Sequence, residues 1–200
     1  MPRAPDPQLE ERVRRAALRL LDAGGLSATT MRAVAREAGT TTPTLYERFR
    51  DRERLLQSLR QQTELELTHA VVPAKTVNHL VRRLLDSCVE YPHRFELIAD
   101  TFSFRLAEGH SMPVYELLKE RLTREVGVNG IRREQVALAI ASLIVGTARG
   151  MIAAGSTTAE AKDLYRTFPG AVRLLLLTFS KPPKSTSSRL CSNSRDTRLA

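Results

Sequence analysis

Apolar residues recur along most of this chain at three- and four-residue spacing and scarcely anywhere at every second position. Val13, Ala16, Ala17, Leu20 and Leu21 fall on one helical face, and Val77, Leu80, Val81, Leu84, Leu85 and Cys88 fall on another. A period near 3.6 lines one side of a helix, whereas a half-buried strand needs a period of two. The chain is therefore expected to be all-α, and its 200 residues, 42% of them hydrophobic, suffice for a core without disulfide or metal staples.

Punctuation divides the pattern into helices. The first stripe should stop at Gly24-Gly25, and Thr30 should cap a short second helix that Gly39 ends. Thr40-Thr41-Thr42-Pro43 opens a third short helix, because threonine caps well and proline is tolerated in a first turn whose N–H is unpaired anyway. That helix closes near Phe49. Asp51 should cap a longer fourth helix toward His69, and Val71 to Thr76, with Pro73, marks a break. Further helices are expected over 77–91, 93–107, 113–126, 131–154 and 159–179. This spacing divides the chain into an N-terminal segment 1–7, a first domain over 8–60, a second helical domain over 61–180, and a disordered basic tail over 181–200 that is too polar to offset ordering entropy.

Charge narrows the partner. The formal charge of +9 is spread as +4 over residues 1–60, +1 over 61–180 and +4 over 181–200. An anionic partner is implied, nucleic acid first and a membrane surface second. Val136 to Ala148 is apolar but falls short of the roughly 20 residues that span a bilayer, and Arg149 ends it, so no membrane insertion is expected. Two cysteines without a CxxC pair and four scattered histidines predict no metal site, no cofactor and a reducing, cytoplasmic setting. Met1 to Pro7 has Arg3 but no apolar run, so no secretory leader is expected. An enzyme would need a GxSxG, a P-loop, a Cys/His set or a cofactor glycine fingerprint, none of which occurs.

Two short helices joined by a glycine turn and flanked by longer ones fit the helix-turn-helix plan. Leu45 and Phe49, four apart, face Val34, Ala35 and Ala38. Thr42, Pro43, Thr44, Tyr46 and Arg48 are left on the outer arc, where small polar side chains reach base edges and Tyr, Thr and Arg reach phosphate. Arg50, Arg52 and Arg54 surround the start of the fourth helix, whose positive dipole end disfavours arginine unless an external anion, such as a DNA phosphate, is present.

The run Thr29-Thr30-Met31-Arg32-Ala33-Val34-Ala35-Arg36-Glu37-Ala38-Gly39, then Leu45-Tyr46-Glu47-Arg48-Phe49 and Arg52-Glu53-Arg54-Leu55-Leu56, resembles the DNA-binding domain of the TetR (tetracycline-repressor-like) regulators over roughly residues 10–58. The resemblance implies a Thr30 cap docking the second helix, contacts to double-stranded DNA around Thr41, Thr42, Pro43 and Thr44, and phosphate contacts by Tyr46 and Arg52; Thr40 and Arg48 are further candidate DNA contacts. It also implies a homodimer on a palindromic operator, released by a small-molecule effector. The sequence departs from the family pattern at Thr40 (usually valine), Pro43 (frequently glycine), Arg48 (commonly histidine) and Arg52 (usually lysine). Pro43 replaces close backbone approach with an apolar surface suited to a thymine methyl.

Behind this unit, Tyr91-Pro92-His93-Arg94-Phe95-Glu96-Leu97-Ile98 and Val136 to Gly155 resemble C-terminal halves of the same family. There Phe95, Phe102, Met112 and Tyr115 are candidate lining of a ligand pocket, and Arg149 is either its charged contact or a salt-bridge partner. By analogy the last two helices pair with a symmetry mate, using Ala139, Ala141, Ser142, Gly146 and Ala148 for close approach. The competing readings are a nonspecific nucleic-acid binder driven by the tail and a helical small-molecule enzyme.

Overall fold

Nine helices and no strand make up the described residues: α1 (Leu9–Ala28), α2 (Met31–Glu37), α3 (Thr42–Phe49), α4 (Arg52–Val71), α5 (Val77–Glu90), α6 (Pro92–Ala107), α7 (Pro113–Val126), α8 (Gly130–Ala154) and α9 (Ala159–Ser180). The computed structural model describes residues 8–180, except Ser111 and Ser156 and the side chains of residues 103, 104, 106, 107 and 180. The N-terminal segment 1–7 and the basic tail 181–200 lie outside the described residues.

Local chemistry accounts for the helix starts. Side chains of Thr30, Thr41, Asp51 and Thr76 accept from the backbone N–H three residues on, at 3.2, 3.3, 2.8 and 3.1 Å. Each supplies a donor of the first turn with the partner it lacks within the helix. At Gly24-Gly25 the helical geometry of α1 breaks, and one more turn carries it to Ala28. Gly25 has φ +66°, and a Cβ there would lie 3.2 Å from the His93 ring, so both backbone and space demand glycine.

Two hydrophobic cores result. Val13, Ala17 and Leu21 of α1, Val34 and Ala35 of α2, Leu45 and Phe49 of α3, and Leu55, Leu56 and Leu59 of α4 form the first. α5, α7, α8 and α9 surround the second, with Leu80, Leu85, Leu122, Ile140, Met151 and Val172 at its centre. α4 serves both, because its first half packs into the smaller core and Val71 into the larger. Leu97 of α6 is 1% exposed and belongs to the first core, although 38 residues separate it from Leu59, the nearest other member in sequence.

α8 has the length and composition to cross a membrane. In this fold Val136, Ala137, Ile140, Ala141, Ile144, Ala148 and Met151 are buried within the chain's own bundle. Ala141 and Ala148 are thereby corrected from outward to inward residues; Ser142 and Gly146 remain exposed. Outward-facing leucines, Leu138 on α8 and Leu164, Leu174 and Leu177 on α9, form an exposed apolar face among the described residues.

Candidate nucleic-acid interface

α3 is held from behind and open in front. Leu45 is fully buried and Phe49 nearly so, while Thr41, Pro43, Tyr46, Glu47 and Arg48 are exposed, Tyr46 by 48%. The hydroxyls of Thr41 and Thr44 share a hydrogen bond of 2.9 Å, and the Thr40 N–H donates to the Ala35 carbonyl at 2.9 Å. Thr40, Thr42 and Thr44 are half-buried, so Thr41, Pro43 and Tyr46 form the leading edge. Thr30 is exposed but commits its hydroxyl to capping α2.

Two of the arginines singled out from sequence have partners inside the chain. Arg52 donates from Nε to the Thr29 carbonyl at 2.9 Å and from Nη2 to the Leu26 carbonyl at 2.5 Å, so its guanidinium closes the C-terminal end of α1. Arg48 pairs with Glu10 of α1 at 2.7 Å. By contrast, the side chains of Arg32 and Arg36 on α2, Arg50 before α4 and Arg54 in its first turn are exposed and have no ion-pair partner among the described residues. Arg50 takes φ 61°, rare for a residue with a Cβ, between the end of α3 and the start of α4. Arg32 and Arg36 were missed in the sequence reading, although their four-residue spacing opposite Val34 and Ala35 puts both on the outer face of α2.

In the rear domain, Phe95, Phe102, Met112 and Tyr115 line one cavity of about 90 Å³ together with Leu67, Ile98 and Ile144. Phe102 and Tyr115 meet edge to face, ring centres 6.3 Å apart. Arg149 is corrected: it is half exposed, pairs with Asp100 at 2.5 Å and takes no part in the lining. The apolar surroundings of the opposite helix face told nothing of Asp100, since the two are 49 residues apart.

Residues 13–59 match the family model described as bacterial regulatory proteins, tetR family. The sequence likeness to the tetR family is confined to that segment. Solved structures share the fold throughout. A TetR regulator from Streptomyces coelicolor has a TM-score of 0.65 at 20% identity, covering 86% of this chain and 97% of that one. BioQ, solved with its natural double-stranded DNA operator, has a TM-score of 0.63 at 22% identity, with the same coverage. A TetR variant from Acinetobacter baumannii, in complex with minocycline, has a TM-score of 0.61 at 20% identity, covering 84% and 93%. No curated protein matches the sequence.

Within this fold α6 joins the two domains. One face carries Phe95, Ile98, Ala99 and Phe102 to the cavity, and the other inserts Leu97 into the first core. Around Leu97, Arg94 bonds both carboxylate oxygens of Asp22 on α1 at 2.6 and 2.7 Å and reaches Glu66 on α4 at 2.9 Å. Those carboxylates raise the Arg94 pKa further above its already high value, led by the Asp22 hydrogen bond. Arg60 of α4 donates to the Leu97 carbonyl at 3.3 Å. At the far end of α4, Arg83 bonds the Ala70 carbonyl, and Arg121 bonds Ala74 and Val72 at 2.8 and 3.3 Å, which ties the C-terminal end to the bundle.

Arg52→Ala should therefore act on folding as well as on any ligand of the interface. Loss of two partly exposed charge-assisted hydrogen bonds is expected to lower Tm by about 2–4 °C, roughly 1 kcal/mol. A thermal melt unchanged from the parent protein would show that the contacts to Leu26 and Thr29 contribute nothing.

Proposed function

We propose that this protein is a TetR-family repressor that binds a palindromic operator as a homodimer, laying α3 in the major groove and letting go when a small apolar molecule enters the rear cavity. One observation carries the reading: an exposed α3 edge of Thr41, Pro43 and Tyr46 with the four uncommitted arginines Arg32, Arg36, Arg50 and Arg54 flanking it. Arginine on either side of a groove-sized helix neutralises phosphates, while the helix edge reads bases. Thr30, Thr40, Thr42 and Thr44 support that edge, Tyr46 supplies a phosphate contact, and Arg48 and Arg52 reach phosphate only by sharing or leaving their present partners.

The solved relative bound to its DNA operator and the relative bound to minocycline support both halves of this reading. Dimerisation would use the uncovered leucines of α8 and α9, Leu138, Leu164, Leu174 and Leu177, since exposed apolar faces mark association surfaces. In a bacterium such work on DNA is cytoplasmic. The effector acts through α6. A molecule that spreads Phe95 and Phe102 displaces the helix that also carries Leu97 and Arg94, and so favours a different placement of the two reading heads.

Selection of bound fragments from random duplex DNA tests this. The purified protein should enrich an inverted repeat whose half-sites are centred about 34 Å apart, or a multiple of that, as the two-fold symmetry of a dimer requires. Enrichment of no sequence, or of a single asymmetric site, would contradict the proposal.

A further inference from the structure

We propose that the rear cavity selects uncharged apolar molecules and that the Glu64–Arg105 ion pair at its edge enforces the selection; this rests on the rear domain being a ligand sensor. Among the described residues the lining is aliphatic and aromatic except for Glu64 of α4, the one charged side chain in it. Glu64 pairs with Arg105 of α6, and only 15% and 21% of the two side chains are exposed. The Tyr115 hydroxyl is turned to the Glu134 carbonyl at 3.4 Å, so it offers little to a ligand.

This pair is satisfied and net neutral. A carboxylate entering the cavity meets Glu64, and an ammonium finds Glu64 already held by Arg105. Either ion must split the pair or sit unpaired among Phe95, Phe102, Leu118 and Ile144, where desolvation of a charge is costly. Burial and the neighbouring Arg60 both lower the Arg105 pKa, so Arg105 is poorly placed to give up its carboxylate partner. An uncharged molecule leaves the pair intact. At about 90 Å³ the cavity is smaller than the roughly 150 Å³ that accepts benzene, so an eight-carbon chain must push its walls apart. The wall residues Phe95 and Phe102 are those of α6, which also holds the reading domain.

Three probes of one chain length separate charge from fit: octan-1-ol, octanoate and octylammonium, titrated calorimetrically into the full chain at neutral pH without DNA. Octanol should bind at least about tenfold more tightly than either ion. Glu64→Gln removes the negative charge at the cavity wall and should raise octanoate affinity about tenfold, and Arg105→Gln removes the competing cation and should do the same for octylammonium. In both variants octanol affinity should change less than that of the matching ion, and circular dichroism confirms that each is folded. An ion outbinding octanol on the parent protein, an unchanged ranking in both variants, or no binding of any probe overturns the proposal. Because no DNA enters the measurement, such a result leaves operator recognition standing, and a failed operator selection leaves this one standing.

Discussion

Replacing Arg32, Arg36, Arg50 and Arg54 together by alanine is expected to weaken binding to the selected duplex about a thousandfold at physiological salt. Each phosphate contact releases condensed counterions and contributes about 0.9 to the slope of log K against log salt, so four contacts remove about 3 to 4 units of slope. Because counterion release is blind to sequence, affinity for unrelated duplex should fall in parallel. All four side chains are exposed and lack ion-pair partners among the described residues, so Tm should stay within a few degrees of the parent protein. Filter binding or fluorescence anisotropy over a salt series gives the slope directly. A variant that keeps the parental slope would remove the basis for placing DNA on this face, whatever its affinity at one salt concentration.

The second large effect is expected at Leu97. Leu97→Ala empties a position 1% exposed at the meeting of α1, α4 and α6 and should cost about 2–5 kcal/mol, seen as a Tm lower by roughly 4–20 °C. Its particular signature is where the protein loosens. Hydrogen exchange should accelerate most in α1 and the first half of α4, whose core Leu97 completes, and much less in α8 and α9, whose core it does not touch. If coupling runs through α6, the variant should also lose most of the difference in DNA affinity between effector-free and effector-bound protein. Uniform acceleration across all helices would reduce Leu97 to an ordinary core residue; a Tm drop under 2 °C would falsify its role in joining the domains.

These two expectations draw on different kinds of information. The capped helix starts at Thr30, Thr41, Asp51, Thr76 and Thr158 each follow from a hydrogen bond spanning three residues, and the apolar stripes that choose each buried face repeat over two turns. Such interactions are local, so they can be read along the chain, and with them come the all-α architecture, the short α2–α3 pair and the outward placement of Pro43 and Tyr46. The aromatic residues at the cavity were legible for a related reason, since Phe95 and Phe102 lie seven apart and share a helix face.

What position in the chain alone did not decide is which distant group each polar or apolar end meets. Arg52 turns to the carbonyls of Leu26 and Thr29 rather than outward, Arg149 finds Asp100, Ala141 and Ala148 face their own bundle, and Leu97 fills the core of the other domain. All of these depend on how whole helices pack, and packing brings together residues that no periodicity relates. Local hydrogen bonding and amphipathic spacing thus determined the helices and the exposed edge of α3, while the long-range burial of α6 between two cores decided how the cavity and the α1–α4 core are mechanically joined.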